Sequence, residues 1–213
     1  MNEYLTETPF LNFNSPEVRD FADQFRAISS EREKAVEIYY RIRDKFIYDP
    51  YHLDLRPEAL IASLILSKKR AWCVEKAILM ASVLRAVEIP SRLGFGIVVN
   101  HIGVEKLVRY LRREEIVFHG YVEVYLENKW VKATPAFDPL VCRAAGVDPL
   151  EWDGKNDAMF QEFSKGKKFM EYVHFYGTFH DVPVKLMNEE MKKYYPHLFS
   201  DIYDSKEFSF FHI

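Results

Sequence analysis

The chain has 213 residues, 48% of them hydrophobic, and a formal net charge of −3. That length suits one domain over residues 1–213 with a sizeable core, and the acidic balance excludes nucleic acid as main partner, because phosphate binding needs a basic surface. Two cysteines, Cys73 and Cys142, are too few for a disulfide framework. The start Met1-Asn2-Glu3-Tyr4 lacks the basic and apolar regions of a secretory signal, and apolar runs such as Ala59 to Leu66 are too short to cross a bilayer. A cytoplasmic chain with no membrane partner is expected.

Ser15-Pro16-Glu17 reads as a helix start with proline at the first helical position, and Val18, Phe21, Ala22 and Phe25 recur at helical spacing. Ser30 to Glu33 has capping-box spacing before Ala35, Val36, Tyr39, Ile42 and Phe46. A third helix is expected from Pro57 through Leu64. The fourth starts at or beside Cys73 and runs to about Val87, where Glu88-Ile89-Pro90 ends it; apolar residues cover most of its circumference, so it is expected to be central.

From Ser91 the pattern turns to a strand whose Gly94 and Gly96 allow close approach. Residues 101–116 resemble an inserted amphipathic helix. A hairpin follows, with strands at about Phe118 to Leu126 and Trp130 to Ala133, joined through Glu127-Asn128-Lys129. A short helical turn ends at Gly146, a loop-rich aromatic stretch comes next, and a last helix lies near Val184 to Tyr195. Helices first and strands after predict an α+β fold, with helices packed on an antiparallel sheet.

Cys73 at a helix mouth is the chemical focus. A free thiol, with a pKa of about 8.5, must be activated to attack a carbonyl. Unpaired N–H groups and the partial positive charge of a helix start favour the thiolate. His119, opening the next-but-one strand, could complete a Cys-His pair. A third group must orient the imidazole, and Thr134 and Asp138 are the candidates. An Asn128-Lys129 turn sets Asp138 opposite His119, a Glu127-Asn128 turn sets both on its diagonals, and a three-residue loop turns both away.

Each residue also has a bland reading. Unpaired cysteine is commonly buried packing, an aspartate before Pro139 suits a helix N-cap, and Trp72 could line a cleft or merely cover the helix mouth. The combination carries the functional reading. His174, His180 and Asp181 fit no metal-ligand spacing, so neither metal nor cofactor is expected. Cys142 is expected to be inert, Arg112-Arg113 and Lys165 to Lys168 to be solvated, and the aromatic tail Phe208 to Phe211 to dock on the domain.

Trp72-Cys73-Val74-Glu75-Lys76-Ala77, Leu84 to Arg92, His119 to Leu126 and Trp130 to Pro135 together resemble the transglutaminase-like superfamily of papain-type cysteine enzymes. The resemblance spans about residues 30–140, leaving a C-terminal extension over about 141–213. It implies a papain-like core with Cys73 as nucleophile, His119 as general base and acid, and acyl transfer from a peptide, protein or small amide. The family's usual Asp-Pro aligns with Thr134-Pro135, so Asp138 is carried as the substitute acid and Thr134 as a weaker alternative. Ala71 also stands where a glycine is common. Hydrolysis is the leading expectation, a binding module without turnover the principal rival, and cross-linking by transamidation a third, with no calcium loop evident.

Overall fold

A computed structural model describes residues 2–101, 105–159 and 170–199. Helix α1 (Pro16–Asp23) starts where Ser15 accepts the Val18 N–H, and α2 (Glu31–Lys45) where Ser30 accepts the Glu33 N–H. A two-residue strand β1 (Ile47–Tyr48) follows, then a 3-10 turn at Pro57–Leu60 and α3 (Ala62–Leu66). The helix expected from Pro57 is therefore split. Ile61 is extended and separates the two pieces.

Strand β2 (Arg70–Ala71) pairs in parallel with β1 and delivers the chain into α4 (Cys73–Ala86), every residue of which is buried. Because α4 has no solvent face, its charged side chains bond the segments around it, whereas the Ser82 hydroxyl is buried without a partner among the described residues. Glu75 accepts the Trp72 N–H and pairs with Lys68. Lys76 donates to the carbonyls of Arg43 (2.9 Å) and Ala136 (2.8 Å). Arg85 reaches those of Thr6, Ser91 and His180. A buried polar group left without such partners costs about 1–3 kcal/mol, more if charged.

One wall of α4 is an antiparallel sheet in the order β5-β4-β3-β6, comprising β3 (Ser91–Asn100), β4 (Glu115–Leu126), β5 (Lys129–Ala133) and β6 (Met170–Phe179). Val122 and Val124 of β4 are wholly buried. Helix α5 (Glu105–Leu111) is shorter than the insertion expected over 101–116, and β4 begins three residues before Phe118. Helix α6 (Pro139–Ala145) ends at Gly146 in the left-handed region (φ 69°), and α7 (Val184–Tyr194) packs against β4.

The β4–β5 hairpin turns through Glu127-Asn128, both with positive φ (48° and 66°), and pairs Leu126 with Lys129. This register aims Thr134 and Asp138 at the diagonals of His119. Pairing stops at Ala133, however, and Pro135 cannot continue it. The largest departure from expectation is β6, which lies in the stretch read as loop. Both of its faces mix aromatic or apolar residues with polar ones such as Glu171, His174 and Thr178, so no two-residue alternation marks it. The Lys165–Lys168 cluster and the Phe208–Phe211 tail lie outside the described residues.

Candidate active site

Trp72 is extended (φ −93°, ψ 174°), and the first α4 bond runs from the Lys76 N–H to the Trp72 carbonyl at 3.1 Å. The amides of Cys73 and Val74 therefore stand outside the helical ladder. Both lie beside the Cys73 sulfur, as do the Gly120 N–H and the Tyr48 hydroxyl, and all four favour the thiolate. Gly120 is what allows the strand so near. A Cβ there would meet Val74 Cα at 3.0 Å and Cys73 O at 3.2 Å.

Burial opposes these dipoles. Cys73 is 2% exposed, and desolvation pushes its thiol up to about 11 despite the polar neighbours. His119 is 0% exposed, and desolvation alone pulls its imidazole down to about 3. In this closed arrangement both groups are neutral at pH 7.

His119 directly precedes the Gly120 amide that faces the sulfur, but among the described residues neither ring nitrogen is hydrogen-bonded to Cys73. The ring stacks on Phe137 (centroids 6.1 Å apart), and Nδ1 lies 2.8 Å from the Tyr172 hydroxyl. Nε2 is buried and has no hydrogen-bond partner among the described residues. Tyr172 gave no signal in the sequence because its strand gave none. Its ring edge is partly exposed, but its hydroxyl lies in the interior beside Thr134, and burial holds the phenol well above the ordinary tyrosine range.

Asp138 is not brought to the imidazole. One of its oxygens accepts the Leu140 and Val141 N–H groups as the α6 N-cap, and the other accepts the Tyr48 N–H at 2.7 Å. The reason is local, since an aspartate before proline caps a helix and the chain has already left the sheet. It acts on the site through Tyr48, whose hydroxyl faces the sulfur. Thr134 reaches the His119 neighbourhood through Tyr172.

Trp72 is 3% exposed, and its indole N–H is buried without a hydrogen-bond partner among the described residues. With Cys73 it lines a narrow, almost wholly apolar pocket of about 20 Å³, walled also by Leu107 and Leu111 of α5 and by Met191 and Tyr195 at the end of α7. Cys142 is buried in α6, its sulfur 3.8 Å from the Phe137 carbonyl. Among the described residues no group of His, Cys, Asp or Glu is placed to hold a metal ion, and no helix is long and apolar enough to cross a membrane.

The model of the transglutaminase-like superfamily matches residues 19–135, more than half of the chain. The chain belongs to that superfamily. Its transglutaminase-like core thus includes Cys73 and His119 and ends at Pro135, so β6 and Tyr172 lie beyond the matched part. Two solved structures are similar in fold. One is a candidate cysteine protease from Cytophaga hutchinsonii, at 19% identity and a TM-score of 0.49 over 64% of this chain and 42% of that one. The other is the periplasmic domain of TgpA from Pseudomonas aeruginosa, at 20% identity and a TM-score of 0.44 over 62% and 45%. This chain therefore spans less than half the length of either. No curated protein matches it.

Proposed function

We propose that this transglutaminase-like chain is a cysteine-dependent hydrolase of amide bonds, a single domain working in a reducing, cytoplasmic compartment. The observation that supports it most is the setting of Cys73: a sulfur at the first residue of a buried helix, flanked by amides of α4 and by the amide that follows His119. His119 takes the thiol proton, and the sulfur attacks the substrate carbonyl. The resulting oxyanion is held by N–H groups at the α4 start. Collapse breaks the C–N bond, His119 returns the proton to the leaving amine, and a thioester remains on Cys73. Water, deprotonated by His119, then displaces the thiol and releases the acid. The indole N–H of Trp72, which has no hydrogen-bond partner among the described residues, is a donor for the substrate, and the narrow apolar lining supports an acyl donor with a small aliphatic side chain.

The test uses full-length protein, p-nitrophenyl esters and peptide anilides of apolar amino acids, and mass spectrometry of the acylated chain. The expected result is an acyl adduct on Cys73 and not on Cys142, release of the acid, no turnover in Cys73→Ala, and slow acylation in His119→Ala. Turnover surviving in Cys73→Ala excludes covalent catalysis. The burial of Cys73 and the Thr134 at the family's acid position favour a second reading, a binding module without turnover. Equal, slow labelling of both cysteines with no acid released supports that one.

A further inference from the structure

We propose that Tyr172 is the positioning residue of His119: its hydroxyl accepts the Nδ1–H, which fixes the tautomer with the lone pair on Nε2. This rests on the reading of Cys73 and His119 as a working pair.

The fold builds the contact deliberately. Tyr172 belongs to β6 and His119 to β4, with β3 lying between them. Gly96 of β3 is the register partner of His119, and a Cβ on it would meet the Tyr172 ring at 2.8 Å. The missing side chain is the lane through which the phenol crosses the middle strand. The ring is then locked. It stacks on Phe175 (5.2 Å, 5°) and meets the edges of Tyr121 (5.7 Å) and His119 (5.6 Å). Thr134, at the family's acid position, lies beside the Tyr172 oxygen. A tyrosine hydroxyl thus lies between the imidazole and the residue that replaces the acid.

The burial of Nε2 decides the tautomer. An N–H donor buried without an acceptor is among the least tolerated states in a protein interior, whereas an unfilled acceptor is tolerated somewhat better. Nε2, buried and unpartnered, therefore carries the lone pair, and the proton sits on Nδ1 facing Tyr172. A neutral phenol supplies no negative charge to stabilise the imidazolium, so this site orients the ring without raising its basicity. That agrees with an imidazole lowered by burial and by nothing else.

Long-range ¹H–¹⁵N NMR of full-length protein labelled at histidine reads the tautomer directly. Wild type is expected to show one neutral His119 form protonated at Nδ1. Tyr172→Phe, which keeps the ring and its stacking, is expected to show a mixture or the Nε2–H form. Its acylation rate with the same esters is expected to fall about 10- to 100-fold at unchanged KM, as for loss of a partner that orients a histidine, and Thr134→Val is expected to shift both readouts less, in the same direction. An Nε2–H tautomer in wild type, or an unchanged tautomer in Tyr172→Phe, overturns the proposal. So does a Tyr172→Phe rate equal to wild type while His119→Ala remains slow. Turnover in Cys73→Ala would instead overturn the hydrolase reading, and the NMR result would still decide the role of Tyr172.

Discussion

Acid should unfold this protein partly through one side chain, His119. Its imidazole is wholly buried, has an unpartnered Nε2, and is held at about 3, against 6.5 for the free group. Because the folded-state value is depressed, the neutral form is the one the fold tolerates. The associated stability is present above about pH 6.5 and is lost as pH falls from there toward 3. At about pH 4.5 the unfolded chain has bound a proton that the folded one has not. Two units at about 1.36 kcal/mol each make a penalty of about 2.7 kcal/mol, a large fraction of a typical domain's stability. The assay is urea unfolding of wild type and His119→Asn, followed by tryptophan fluorescence from about pH 7.5 to 4.5. Carboxylate titrations are common to both chains and cancel in the difference, as does any constant cost of the substitution. Wild type should lose about 2.7 kcal/mol more than the variant over that range. Parallel curves, agreeing within about 0.5 kcal/mol, would refute the claim that His119 is buried as a neutral group.

Two further outcomes follow from the packing around Cys73. Gly120→Ala places a methyl 3.0 Å from Val74 Cα and 3.2 Å from Val74 N, backbone atoms that cannot swing aside. It is expected to destabilise by about 1–3 kcal/mol and to slow Cys73 acylation; an unchanged or raised Tm in a thermal scan would contradict the close approach. Met191→Ala enlarges the apolar pocket from its α7 wall, so kcat/KM should rise for bulky aromatic acyl donors relative to small aliphatic ones. An unchanged ranking across the ester series would show that this pocket does not receive the acyl group.

Where residues speak through local rules, the sequence was sufficient. Ser15 and Ser30 cap helices because their side chains accept first-turn N–H groups, and α4 ends at Ala86, just before the expected Glu88-Ile89-Pro90 stop, where Glu88 turns into the left-handed region (φ 65°). The apolar circumference of α4 predicted its burial, and the thiol at its mouth followed from the same pattern. The hairpin register, by contrast, was one of three the sequence left open, and the structure selected the Glu127-Asn128 turn. Asp138 shows where such rules stop: the diagonal placement assumed that pairing continued past Pro135, whereas the local Asp-Pro preference for capping a helix prevailed.

What tertiary structure alone decided is the third partner and the protonation of the pair. Tyr172 stands 53 positions from His119, in a strand with no period to announce it, and reaches the ring only because a glycine in an intervening strand lacks a side chain. The neutral state of thiol and imidazole is likewise a property of the closed packing, since desolvation depends on what surrounds a group and not on which residues adjoin it in the chain.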